Sequence, residues 1–213
     1  MLGILDYNAG NQTSVRRALD AQNIPSRISA DPADLASCQG IIFPGVGAAG
    51  TAMQELERTG LARFLNDAAR EGRPILGICL GCQILLDHSE ENDTDLLGIV
   101  RGKARRFPDN GLQEDGSPAP VPHMGWNTVE RHIQSPLFQG IPENAFFYFV
   151  HSYYVDVPEE LVIGTTHYTH PFCSVYGRDG LWGVQFHPEK SGRHGLALLR
   201  NFYTYCMGAA NAV

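Results

Sequence analysis

Between residues 3 and 87 the sequence alternates short strand-like runs with longer amphipathic stretches. GILDY (3–7), SRIS (26–29), GIIF (40–43) and PILGI (74–78) have the length and bounding turns of strands. Residues 12–22 read as a helix after the turn NAGN (8–11). From Thr51 to Glu71 the apolar positions Met53, Leu56, Leu61, Phe64, Leu65 and Ala68 recur at helical spacing. Gly60 interrupts that helix, and Gly72 and Pro74 end it. LGCQILLD (80–87) begins another. A βαβ succession of this kind predicts a parallel sheet covered on both faces.

The second half differs. LLGIV, GWNTVE, AFFYFV, LVIGTTHY, FCSVY and LWGVQF, all within residues 96–186, are strand-like and punctuated by Gly and Pro. PDNGLQEDGSPAPVP (108–122) reads as a surface loop. Residues 192–206 close with a helix carrying Leu198, Leu199, Phe202, Tyr203 and Cys206 on one face. The expectation is an α/β fold: a single domain over 1–213, its mainly parallel central sheet flanked by helices, with an added antiparallel portion. A chain of 213 residues suits one sizeable core.

A formal net charge of -7 without a lysine-arginine run argues against nucleic acid or an anionic membrane as partner. RGKARRF (101–107) reads as a strand with one solvated face. MLGILDY lacks the pattern of a signal peptide, and no apolar run is long enough to span a bilayer. Five cysteines without regular spacing suggest free thiols in a reducing cytoplasm.

Chemistry is suggested at three places. In GICLGCQ (77–83), a strand runs into a helix through Gly77-Ile78-Cys79-Leu80-Gly81, as in a nucleophile elbow with Cys for Ser. Such a turn presents the thiol at the carboxyl end of the sheet and at a helix N-terminus, which favours the thiolate. The N–H of Leu80 would face a developing oxyanion. A buried structural cysteine, a redox pair with Cys82, or half of a zinc site are the alternatives. Zinc lacks two further ligands nearby, since Cys38, Cys173 and Cys206 are scattered and His167 and His170 have opposite strand parity. In GVQFHPEK (183–190), His187 and Glu189 could face one side of an extended segment, giving a base and its orienter. In FPGVGAAG (43–50), the tight turn at Val46-Gly47 exposes N–H groups that suit an oxyanion; it lacks the Gly-Lys-Ser/Thr ending of a phosphate-binding loop.

PGVG, GICLGxQ and QFHPEK, in this order and spacing, resemble class I (triad) glutamine amidotransferases. DYNAGN (6–11), VPHMGWN (121–127), YFVHSYY (148–154) and HPEKS narrow the resemblance to the glutaminase subunits of imidazole glycerol phosphate synthases, which act in histidine biosynthesis. It covers nearly the whole chain. The resemblance implies that Cys79 attacks the side-chain amide of L-glutamine, that His187 takes the thiol proton and later protonates departing ammonia, and that Glu189 holds His187. It implies an oxyanion hole at Val46, Gly47 and Leu80, and glutamine contacts at Gly47, Gln83 and the backbone of His151, Ser152 and Tyr153. A γ-glutamyl thioester would form and be released by water. No cofactor or metal is implied. The partner would be a (β/α)8-barrel cyclase subunit in a heterodimer, receiving ammonia directly in its unprotonated form. Asn11, Trp126, Tyr148 and Lys190 match positions at that interface; the plainer reading of the last three is core aromatics and a solvated lysine. Cys82 and Ala49 depart from the pattern, where Met or His and an aromatic residue are expected, and the 108–122 loop is longer than usual.

Overall fold

The computed structural model describes residues 1–8, 10–112 and 116–210. Its first half follows the predicted alternation. β1 (Leu2–Leu5), α1 (Gln12–Asp20), β2 (Ser26–Ser29), α2 (Pro32–Ala36), β3 (Gly40–Gly45), α3 (Ala49–Thr59), α4 (Leu61–Arg70), β4 (Ile75–Cys79) and α5 (Leu80–Ile84) succeed one another. β1, β3 and β4 are buried along their whole length, which explains their unbroken apolar sequence. Their side chains alternate between two cores. Leu2, Ile4, Ile42, Leu76 and Ile78 pack with Val15 and Leu19 of α1. Leu5, Ile41, Phe43 and Ile75 pack with Leu35 of α2 and with Met53, Leu56, Leu61 and Leu65 of α3 and α4. The break at Gly60 is real: its φ of 76° is left-handed, so it closes α3 and opens α4.

The second half contributes β5 (His88–Ser89), β6 (Thr94–Asp95), β7 (Lys103–Arg106), β8 (His123–Thr128), β9 (Glu130–Arg131), β10 (Phe146–His151), β11 (Tyr153–Asp156), β12 (Val162–His167), β13 (Pro171–Arg178), β14 (Leu181–Val184) and α6 (Gly192–Ala210). The sheet order is β2-β1-β3-β4-β14-β13-β11-β7-β5-β6, with β12 joining β13 to β9. From β2 to β14 every neighbouring pair is parallel, and β13 and β11 continue it antiparallel. β8 and β10 stand apart as a two-stranded antiparallel ribbon in which Tyr148 lies opposite Trp126. α6 buries Leu198, Leu199, Phe202 and Cys206, with Tyr203 at the rim of the same core.

Several expectations change. LLGIV is not a strand. The N–H groups of Leu97, Val100 and Gly98 bond to the carbonyls of Ile84, Leu85 and Leu86, so the run caps the end of α5. The same bonds accompany the end of α5 at Ile84, short of the predicted helix to residue 87. RGKARRF behaves as a solvated strand: Ala104 points inward, Arg105 pairs with Asp156, and Arg106 with Asp109. The 108–122 segment is only partly a surface loop. Leu112 is exposed but Ala119 is buried, and Pro122 lines the cavity that opens over Cys79; residues 113–115 lie outside the described residues. Among the described residues no helix is long and apolar enough to cross a membrane.

Candidate active site

β3, β4 and β14 are adjacent parallel strands, and their carboxyl ends deliver three of the predicted elements side by side. β3 ends in the Val46-Gly47 turn, β4 ends at Cys79, and β14 leads to His187. Gly45 lies directly opposite Cys79 in the ladder, which brings the PGVG turn against the elbow. Cys79 has φ 54° and ψ -112°, a strained backbone for a residue with a side chain. The two glycines around it are required by space. A Cβ at Gly77 would sit 2.8 Å from the Cα of Cys82, and one at Gly81 would sit 1.8 Å from the carbonyl oxygen of Phe43. This is the geometry of a nucleophile elbow.

Cys79 and His187 are both buried. The Cys79 sulfur donates to the Val150 carbonyl at 3.8 Å, and Gln185 Nε2 approaches it at 4.0 Å. His187 Nδ1 donates to Glu189 Oε1 at 2.7 Å, and both side chains are fully shielded from solvent. The two residues meet through a turn, not the extended segment expected: Pro188–Lys190 is one turn of 3-10 helix with His187 at its cap. His187 Nε2 is buried without a hydrogen-bond partner. The sulfur and this nitrogen do not meet hydrogen-bond geometry, yet they are close enough to interact as charges. Burial would lower the His187 pKa, but the negative charges of a Cys79 thiolate and of Glu189 outweigh it and push it up to about 10. His187 is thereby suited to hold the proton that Cys79 gives up on attack.

Asn11 is not on open surface as the interface assignment expected. It is 5% exposed, and its amide donates to Glu189 Oε1 at 3.3 Å, so it braces the carboxylate that orients His187. The reason is topological: the turn after β1 and the turn after β14 meet behind the base.

A cavity of about 320 Å³ opens over the sulfur, near the lower end of the range for small-molecule sites. It is lined by Val46, Gly47, Cys79, Leu80, Gln83, His151, Ser152, Tyr153 and His187, all singled out in the sequence, together with Glu91, Pro122 and Val150. Gln83 Nε2 donates to the Tyr153 carbonyl at 2.9 Å and to Gln185 at 3.1 Å. Glu91 was not foreseen, because it sits in an acidic run (SEENDTD) that reads as solvated surface. Among the described residues it is the one carboxylate on the wall, and it also accepts the Ala49 N–H at the start of α3 at 2.6 Å.

The ribbon roofs this site. The His187 N–H donates to the Tyr148 carbonyl at 2.9 Å, and Ser191 Oγ bridges the Tyr148 N–H and the His187 carbonyl. On its outer face Met124, Trp126 and Phe146 are 62%, 55% and 53% exposed. Trp126 packs edge-on against Tyr148 at 5.9 Å, and Lys190 Nζ lies 5.9 Å from the Tyr148 ring. The core reading of Trp126 therefore fails. Met124 and Phe146 carry no signal in sequence; they appear only once β8 and β10 are paired.

Cys82 is fully buried behind the elbow, where burial pushes its thiol pKa well up. All five cysteines are free, and among the described residues no cluster of His, Cys, Asp and Glu could hold a metal. Cys82 packs in the core with Cys173 and Tyr176, whose hydroxyl donates to the Cys82 carbonyl at 2.5 Å.

The profile of the family "Glutamine amidotransferase class-I" matches residues 4–206. The chain is 60% identical to imidazole glycerol phosphate synthase subunit HisH of Nitratidesulfovibrio vulgaris, covering 100% of both chains. It is 47% identical to the subunit of the same name from Geobacillus thermodenitrificans, covering 99% of each. Among solved structures it resembles that of PurLQS from Thermotoga maritima, with a TM-score of 0.74 at 16% identity, over 96% of this chain and 97% of that one. A putative GMP synthase protein from Thermoplasma acidophilum aligns at TM-score 0.72 and 17% identity, over 99% and 96%. Profile, full-length relatives and fold agree: the chain belongs to the class I glutamine amidotransferase family.

Proposed function

We propose that this chain is the glutaminase subunit of an imidazole glycerol phosphate synthase, acting as one amidotransferase domain over 1–213. It hydrolyses L-glutamine to glutamate and ammonia, and hands the ammonia to a (β/α)8-barrel cyclase subunit in a cytoplasmic heterodimer of histidine biosynthesis. The observation that carries the chemistry is the strained Cys79 beside a buried His187 held by Glu189, at the floor of a cavity of amino-acid size.

In this reading the Cys79 thiolate attacks the side-chain amide carbon. The N–H groups of Leu80 and of the Val46-Gly47 turn receive the oxyanion. His187 delivers its proton to the leaving nitrogen, ammonia departs, and a γ-glutamyl thioester remains. His187 then takes a proton from water, which releases glutamate and restores the thiolate. Gln83 and the 151–153 backbone hold the substrate, and Glu91 suits its ammonium group. The exposed face of Met124, Trp126, Phe146 and Tyr148, edged by Lys190, suits a partner surface. It lies over the strand whose Tyr148 carbonyl holds His187.

The test is co-purification with a barrel cyclase from the same pathway, followed by a glutaminase assay with and without the cyclase ligand. The expected result is a stable complex whose glutamine hydrolysis rises when the ligand is bound. Rapid hydrolysis by the isolated chain, with no response to the cyclase, would contradict the subunit reading.

A further inference from the structure

His123 of PHMGWN has no part in the chemistry above, yet it is buried one residue away from the docking face. We infer that His123 and His151 are a positioning pair for the glutamine-binding segment 151–153. They form a one-way chain of hydrogen bonds running from Asn127 to the Tyr153 carbonyl. The inference rests on the glutaminase reading for what the segment binds, and on geometry alone for the chain.

Its direction is fixed by chemistry. His151 Nδ1 lies 2.8 Å from the Tyr153 carbonyl oxygen, which can only accept, so Nδ1 carries the proton. Burial holds the His151 ring neutral, with its pKa pushed down to about 3, so Nε2 must accept. The group 3.0 Å from it is His123 Nδ1, which therefore donates. Burial also keeps His123 neutral, with its pKa near 4, and leaves its Nε2 to accept from the Asn127 amide at 3.5 Å, the longest link. Asn127 is held in turn by donating to the His167 carbonyl at 2.8 Å.

The rings have little freedom to turn. His123 is sandwiched between Tyr168 and Phe149, with centroids 4.1 and 5.0 Å away and near-parallel planes. Two apolar side chains would fill this aromatic box without the desolvation cost of two imidazoles. What the imidazoles add is a second donor on the Tyr153 carbonyl, beside Gln83 Nε2 at 2.9 Å. The neighbouring Ser152 carbonyl accepts the Phe107 N–H at 3.0 Å. Neither peptide can rotate without breaking these bonds, so the cavity wall is held in one orientation before substrate arrives. The chain starts on β8, whose alternate residues Met124 and Trp126 form the docking face.

The experiment compares His123→Leu and His123→Asn in the full chain, assembled with the barrel cyclase and its ligand. Glutamine-dependent and ammonium-dependent synthesis are both measured. His123→Leu keeps apolar bulk but removes the donor, and should raise the KM for glutamine about tenfold with kcat within about threefold, the effect of one lost hydrogen bond. His123→Asn places an amide nitrogen where Nδ1 was and should bring KM back to within about threefold of the wild type. Ammonium-dependent synthesis should not change in either. Nitrogen NMR of the wild-type chain should find His151 protonated on Nδ1 and bare on Nε2. An unchanged KM in His123→Leu, an Asn variant as impaired as the Leu variant, or a proton on His151 Nε2 would each overturn the inference. If His123→Leu does not fold, the Asn variant and the NMR measurement decide it. A wild-type complex inert towards glutamine would contradict the glutaminase reading instead, and the NMR measurement would still decide the chain.

Discussion

The carboxyl ends of β3, β4 and β14 and the β8–β10 ribbon build one site by opposite means. The parallel strands supply the reacting groups through sharp turns: a left-handed cysteine, a glycine with φ of 94° at Gly47, and a 3-10 turn at His187. The ribbon places no side chain on the reacting bond. It holds the parts in place with two main-chain groups and one ring: the Val150 carbonyl under the Cys79 sulfur, the Tyr148 carbonyl on the His187 N–H, and the His151 ring on the Tyr153 carbonyl. The reacting groups are thus specified locally and their alignment is specified at long range. A partner seated on Trp126 and Tyr148 touches the strands that set this alignment.

This division can be broken at its most local point first. Cys79→Ala should lower glutamine-dependent synthesis by about 10⁴-fold or more, because nothing else supplies the nucleophile. Synthesis from added ammonium salt at high pH should persist, and loss of both would mean that Cys79 matters for the fold instead. On the ribbon, Trp126→Ala should weaken partner binding about 10- to 100-fold in a titration, as expected when a central exposed aromatic is removed from an interface. It should leave the chain's own thermal midpoint unchanged; a fall in the midpoint would return Trp126 to the core.

The two regions should also part on pH. His187 titrates above its ordinary 6.5 in the fold, at about 10, so its contribution to stability is fully present below 6.5 and lost as pH rises through 10. His123 and His151 titrate below 6.5, near 4 and 3, so they contribute stability above 6.5 that is lost as pH falls through those values. Denaturant midpoints against pH should therefore peak near 6.5. His187→Gln should flatten the alkaline limb only, and His123→Asn should soften the acid limb only; the reverse pattern would contradict both assignments. The smallest effect is expected at Cys82. Cys82→Ala should change glutaminase activity by less than about threefold, with a stability loss of about 1 kcal/mol for the vacated space. An activity loss comparable to that of Cys79→Ala would make the cysteines a functional pair.

What was legible in the sequence follows the same line. The elbow, the His-Pro-Glu turn and the alternation of the first half are written in residues close together, where glycine spacing and apolar period report on local geometry. The contact of Asn11 with Glu189 spans most of the chain and has no local signature. Glu91 and Pro122 reach the cavity from segments that look like ordinary polar loops. LLGIV has the composition of a strand, but its N–H groups are taken by the end of α5. The ribbon was visible only as further strands, because its separation from the main sheet depends on which partner each strand finds.

The central claim is that one cysteine of GICLGCQ carries the acyl group. The direct measurement is acid quenching of the ligand-bound complex during glutamine turnover, followed by mass spectrometry of the cysteine peptides. The account predicts a γ-glutamyl thioester on Cys79, none on Cys82, and its disappearance in His187→Ala, where the acyl transfer lacks its proton donor. A glutamyl adduct on Cys82, or steady turnover with no adduct on Cys79, would contradict it.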